Sequence, residues 1–319
     1  MISKIVKGFD MQHVTLTRRQ SIYSYSGAFI FILAMIAIAS LGNDREIVLP
    51  EIAAMAIALW VYREQDWMLH PEKVFLWPTV TALLGFGINL LTLPFIAKLV
   101  LVLMGMLLFF SIFKYSLAPA LATGFLPIVT NATEFSFIFS IVITTFILMA
   151  VVIFAKLKTN SNREAQIKPN LMAIYAVIIG LSIIVASLAN YPHLAVLPPV
   201  AVVIYESLHM KMYSWRMVIK QSIVLTLSAT IGVTLYLIIN HWVVVALLSM
   251  PLMWGLLSIF KMRVPAVYAF PLLAYVFPRD ALPLLPIASL FVSFGSLGMV
   301  FLYRAVTGTL MPMEHKINL

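Results

Sequence analysis

The sequence predicts an all-α, polytopic membrane protein of two tandem, parallel halves, and three observations carry that expectation. The 319 residues are 62% hydrophobic and 10% charged, against about 45–50% apolar and about 25% charged in soluble chains. The apolar residues run in blocks such as Gly27–Leu41, Leu99–Phe113, Phe135–Phe154 and Val243–Phe260. Each is close to the ~20 residues that cross a hydrocarbon core as a helix. Finally, short sequence features of the first half return in the second at a nearly constant spacing.

Helices follow because backbone polar groups in lipid must be satisfied within the segment. The blocks also lack the in/out alternation of a barrel strand. Residues 1–20 form a basic N-terminal segment, cytoplasmic or interfacial. Ile2, Ile5, Val6 and Phe9 share one helical face beside Lys4 and Lys7, as a surface helix requires, and a disordered tail is the other reading. The apolar block after it ends in no A-x-A-type cleavage site, so a retained first span is expected rather than a signal peptide.

Twelve apolar segments follow, at 22–41, 48–62, 75–93, 95–113, 117–130, 135–155, 171–189, 194–208, 217–239, 242–260, 264–277 and 283–303. Those at 48–62, 117–130, 194–208 and 264–277 are too short for a relaxed span, so they are expected as short or broken helices. The longest polar connection, Lys156–Asn170, divides the chain into a first repeat (21–155), a linker (156–170), a second repeat (171–304) and a tail (305–319). Val48-Leu49-Pro50 returns as Val196-Leu197-Pro198 after 148 residues, and Ser111–Lys114 as Ser258–Lys261 after 147. Pro119-Ala120 returns as Pro265-Ala266 after 146. Three matches in the same order indicate a duplicated unit.

Charge sets the orientation. If all twelve segments cross, only Arg45, Lys98 and Arg279 of the 21 Lys and Arg residues fall on the outer side. That positive-inside bias places both termini in the cytoplasm of a cell-membrane protein. One re-entrant segment per half would invert the second half and put basic clusters outside. Parallel repeats are therefore expected. The same bias accounts for the net charge of +9, and no nucleic-acid partner is needed.

Several chemistries are excluded or disfavoured. There is no Cys, hence no disulfide or thiol chemistry. His13, His70, His193, His209, His241 and His315 are scattered with no metal-ligand spacing, and no metal or cofactor is expected. H-E-x-x-H, G-x-S-x-G, a Walker motif and paired intramembrane carboxylates are missing, so an enzyme is not expected. The 18 Met and 21 Phe read as packing and lipid-facing residues. Asn131-Ala132-Thr133 fits a glycosylation acceptor, a short and common pattern that is set aside.

The four short segments each begin at proline followed by small or β-branched residues: Pro50-Glu51-Ile52-Ala53, Pro119-Ala120-Leu121-Ala122-Thr123, Pro198-Pro199-Val200-Ala201 and Pro265-Ala266-Val267. Proline suits a helix's first turn because its missing N–H had no partner there. A helix starting inside the membrane points free N–H groups and about +0.5 charge at that point, an anion site. Broken helices meeting at mid-membrane are a recurrent transporter design. Ordinary short spans with an interfacial proline are the plainer reading.

These segments resemble the HPP family of integral membrane proteins. In that family a Gly-Ala-Ser-Ala-type motif opens one short helix and a His-Pro-Pro-Ala-type motif another. Leu49–Ala54 and Leu197–Ala201 stand at the first motif, Leu117–Ala120 and Arg263–Ala266 at the second. Thr81–Gly85 and Ser228–Gly232 are similar to the family's small-residue helix ending in Gly. The motif His is not kept in either half. The resemblance implies a membrane transporter with a nitrite-like small anion as solute.

Glu51 and Lys98 are charges at membrane depth, which are costly and usually functional. Ionised, Glu51 would occupy the place of an anion and vacate it on protonation, coupling proton to anion; otherwise it caps its helix near the outer interface. Lys98 is the second candidate for ion coupling, or it snorkels to water. Glu206, His209, Lys211 and Arg216 read as a solvated inner loop. Thr79, Thr81, Thr123, Ser228, Thr230 and Tyr268 would line a polar path or bond their own backbones.

The expected function is thus a permease for a small solute, most simply an anion. It would be bound by Pro50, Glu51, Ala53, Pro119, Ala120, Thr123, Pro198, Pro199, Pro265, Ala266 and Tyr268. A membrane-embedded enzyme, an assembly factor and an accessory subunit are the alternatives. The implied partners are solute and lipid; a separate ATPase subunit as energy source, and monomer against homodimer, stay open.

Overall fold

The computed structural model describes residues 16–157, 168–210 and 212–307, and among them the chain is helical with no β-strand. The expected N-terminal surface helix, most of the linker, Lys211 and most of the tail lie outside the described residues. In the first half come α1 (Arg18–Gly42), α2 (Pro50–Ala56), α3 (Gln65–Met68), α4 (Pro71–Asn89), α5 (Phe95–Phe113), α6 (Ala118–Val129) and α7 (Phe135–Phe154). α2 continues as a wider π-helix over Ile57–Tyr62. The second half holds α8 (Pro169–Leu188), α9 (Pro198–His209), α10 (Trp215–Ile238), α11 (Trp242–Phe260), α12 (Phe270–Val276) and α13 (Leu285–Val306). A 3₁₀ turn, Pro265–Tyr268, precedes α12.

Seven of these, α1, α5, α7, α8, α10, α11 and α13, are long and apolar enough to cross a membrane. Their outer faces carry exposed Leu108, Phe139, Phe154, Leu188, Ile259 and Phe291, which in water would be an intolerable apolar surface. The protein is an all-helical, polytopic membrane protein. The short elements lie inside this ring: every residue of α6 is buried, and all of α2 except Ala54.

Local sequence explains where helices start and stop. Thr17 caps α1 in a reciprocal box with Gln20, the arrangement that satisfies two end N–H groups. α2, α4, α6, α8, α9 and the turn before α12 each have proline in their first two positions. Lys114 and Lys261 end α5 and α11 in the left-handed region (φ 49° and 53°), unusual for a non-glycine residue. The repeated Ser-Ile-Phe-Lys is therefore a helix stop that turns the chain toward a buried, proline-led short helix.

Packing follows one scheme in both halves. α4 lies against α6 and α7, and α10 against α12 and α13. Across the halves α1 packs on α11 and α8 on α5, while α2 meets the Pro265–Tyr268 turn and α9 meets α6. Glycines mark the tightest crossings: a Cβ on Gly85 would stand 2.1 Å from the Gly124 carbonyl oxygen, and one on Gly232 2.3 Å from Pro271 Cα.

Glu46 ties the loop before α2 to the start of α7. Its carboxylate accepts from the backbone N–H groups of Thr133 (2.9 Å) and Glu134 (2.8 Å). Charge-assisted bonds of this kind contribute about 1.5–3 kcal/mol each when shielded, and these are solvent-exposed. Glu46→Ala is expected to destabilise by about 1.5 kcal/mol, read as a lower thermal midpoint in detergent, with Glu46→Gln retaining part of it.

Candidate functional site

One cavity is lined by the first turns of four short elements: Glu51 and Ala54 of α2, Pro119 and Ala122 of α6, Pro198, Pro199 and Val202 of α9, and Pro265, Ala266 and Ala269 at the start of α12. Trp67 of α3 and Glu206 of α9 complete it. On each element the lining residues are three or four apart, the spacing of one helical face. The cavity is narrow. About 10 Å³ is open to the centre of a water-sized sphere, close to the minimum for one water molecule.

Glu51 is the chemically distinctive member. It is 3% exposed, and neither carboxylate oxygen has a hydrogen-bond partner among the described residues. The polar group in electrostatic reach is its own backbone N–H. A buried carboxylate without partners is unfavourable by several kcal/mol unless it is protonated or served by something that binds there. Among the described residues no Lys or Arg lines the cavity. The prolines supply no N–H, so the helix starts act through their dipoles more than through donors.

Of the other expected site residues, Pro119, Pro198, Pro199, Pro265 and Ala266 line the cavity, whereas Pro50, Ala53, Ala120, Thr123 and Tyr268 do not. Pro50, Ala53 and Ala120 sit in the same first turns and are buried outside the cavity. Thr123 Oγ1 lies 2.8 Å from Thr81 Oγ1 and donates to the Ala120 carbonyl. Tyr268 is fully buried, with its ring against Phe29 at 6.2 Å and its hydroxyl near those of Tyr25 and Tyr62. Lys98 is away from the cavity, donating to the Asn89 carbonyl (2.5 Å) and Oδ1 (3.3 Å) at the end of α4.

The polar path does not assemble either. Ser228 donates to the Val267 carbonyl (2.6 Å), Thr230 to Thr226 (2.8 Å), and Thr79 pairs with Thr145 (3.3 Å). These hydroxyls join helices to one another or to their own backbone.

Ala54, Trp67, Ala122, Val202, Glu206 and Ala269 are the lining residues that sequence reasoning passed over. Glu206 lies on α9, where Pro199, Val202 and Glu206 recur at i, i+3 and i+7, and that spacing was the available signal. His209 is the last residue of the same helix, its Nδ1 2.8 Å from the Tyr205 carbonyl oxygen. Arg216 is exposed in the first turn of α10.

A second, larger hollow of about 240 Å³ lies at the other ends of α6 and α12, lined by Arg45, Glu46, Val48, Leu126, Thr130, Phe137, Val276, Phe277 and Pro278. Val48 lines this hollow and Glu51 the first. The two are three residues apart, at most about 11 Å of extended chain.

No protein-family profile, curated protein or solved structure matches the chain.

Proposed function

We propose that the protein is a proton-coupled permease for a small anion, carried through the cavity where four short helices begin. The observation that carries this is Glu51: a carboxylate without partners among the described residues, held where the first turns of four short helical elements meet. Ionised, it repels an anion; protonated, it leaves the helix ends free to receive one. Besides the Glu51 and Glu206 carboxyls the lining is apolar, short of the roughly six or more oxygen ligands that a hard cation takes.

The equivalent packing of the two halves supports tandem parallel repeats. Lining residues correspond at the spacing of the motifs, Glu51 and Ala54 to Pro199 and Val202, Pro119 and Ala122 to Ala266 and Ala269. The larger hollow on the Arg45 side supports an aqueous approach from outside, since the charge bias assigns Arg45 there. The likeness to the HPP family makes a nitrite-sized monovalent anion the first solute to try.

Nitrite, nitrate and formate uptake into proteoliposomes tests the reading. Saturable uptake of at least one, faster from an acidic exterior and dissipating the pH gradient, is the expected outcome. Rates equal to protein-free liposomes for all three, in protein that still binds protons, would leave the accessory-subunit reading.

A further inference from the structure

Glu206 is half-buried and shares the cavity with Glu51. It lies about two turns along α9 from the prolines, so the two carboxylates enter the hollow at different levels. It feels the charge of Glu64. Glu64 follows Arg63, whose left-handed backbone (φ 57°) ends the π-helix, and it precedes α3, whose Trp67 lines the cavity. This turn thus reaches from the cavity wall to the Arg63 face of the protein. At Glu64, burial and the Asp66 carboxylate push the pKa up to about 7 against the opposing pull of Arg263, so this group gains and loses its proton near neutrality.

We infer that Glu206 is a second proton-carrying carboxylate of the cavity and that it exchanges its proton with the Arg63 face through Glu64. This rests on the proton-coupled reading above. An acidic cluster alone would not carry it. The further observation is Glu51, 3% exposed and unpartnered among the described residues in the same cavity, a place where a carboxyl is either protonated or served by a group that binds there.

The groups around α9 leave Glu64 as the natural partner. α6 brings no titratable residue, α2 brings Glu51, and the turn before α12 brings Tyr268, whose hydroxyl is with Tyr25 and Tyr62. α8 brings Tyr175, which packs on Tyr205, and Lys168, which acts on His209. From α13, Arg304 donates to the carbonyls of Leu208 and Met210, holding the C-terminal end of α9; Tyr303 lies beside it. In the transfer, the Glu206 O–H bond breaks as the carboxyl protonates a water molecule, a proton from that water joins the Glu64 carboxylate, and Glu64 releases it to bulk water at the exposed Asp66 turn. The reverse reloads the cavity.

Infrared pH titration of the full-length protein in lipid bilayers tests this without any solute. The buried protonated-carboxyl band should lose one component in Glu51→Gln, a different component in Glu206→Gln, and both in the double variant. Glu206→Asp, which keeps a carboxyl, should retain a titrating component and so separates band loss from misfolding. Glu64→Gln should keep both components but slow the hydrogen–deuterium exchange of the Glu206 one by tenfold or more. A titrating band unchanged in Glu206→Gln, or wild-type exchange in Glu64→Gln, overturns the inference. Nitrite flux on the same liposomes distinguishes the failures. Bands as stated without proton-linked flux sink the transport reading alone; flux with an unaltered Glu206→Gln spectrum sinks the relay alone.

Discussion

Glu51→Gln is expected to strip anion uptake of most of its pH dependence while leaving the protein folded. The amide is nearly isosteric with a protonated carboxyl and is neutral at every pH. In the wild type an anion about 4 Å from an ionised Glu51 would be repelled by about 4 kcal/mol at an effective dielectric near 20. That is worth about a thousandfold in occupancy. The N-termini of the two longer cavity helices, α6 and α9, each favour an anion by about 0.3–2 kcal/mol, together no more than that repulsion, so protonation acts as the switch. Above the midpoint of the group, each pH unit lowers its protonated fraction about tenfold, so uptake rises as pH falls. The variant should lose that factor, up to about 100-fold across two pH units. It should still exchange anion down its own gradient, but it should not accumulate anion from an acidic exterior. Wild-type pH dependence in Glu51→Gln would remove Glu51 from the coupling.

Much of this architecture is legible in the sequence because lipid makes length and hydropathy decisive. The segment expected at 95–113 is α5, Phe95–Phe113, and that at 242–260 is α11, Trp242–Phe260. Proline starts and polar loops fix the others to within a few residues, though 75–93 is α4 from Pro71, because Pro71 and not the first apolar residue opens the helix. The short segments also declared themselves, since nothing but burial among longer helices suits them. What the sequence does not disclose is rotation. In α6, whose first turn is apolar all round, nothing says that Ala122 lines the cavity while Ala120 does not.

The same blindness applies to Glu206, which reads as loop because hydropathy falls there, although α9 runs on to His209. A polar residue at the end of an apolar run is ambiguous until its helical phase is fixed by residues such as Pro199 and Val202. The alignment of Pro119 with Pro265 shows a related effect. The cavity equates Pro119 with Ala266, the spacing that also relates Lys114 to Lys261 and Gly85 to Gly232. Proline marks the start of each buried element, but one residue earlier on the second, where a 3₁₀ turn opens it.

Gly85→Ala and Gly232→Ala are expected to be the most damaging alanine substitutions among the described glycines. The added Cβ would lie 2.1 Å from the Gly124 carbonyl oxygen in one and 2.3 Å from Pro271 Cα in the other. Both neighbours are backbone and cannot swing aside. Replacing helical glycine by alanine ordinarily gains about 1 kcal/mol, while overpacking a tight contact costs about 1–3 kcal/mol, so the net loss should approach 2 kcal/mol. Gly124→Ala meets the Met106 sulfur at 2.2 Å, a flexible side chain that can repack, and should cost less. Gly87→Ala, two residues from Gly85 and with nothing within 4 Å, should be neutral or stabilising. Thermal unfolding in detergent ranks the four. Because α6 carries Pro119 and α12 follows directly from Ala266, any displacement at the glycine crossings reaches the cavity, and uptake should fall in the same order as stability. Equal stability in Gly85→Ala and Gly87→Ala would mean that the α4–α6 crossing is looser than the structure has it, and the position of Pro119 in the cavity would fall with it.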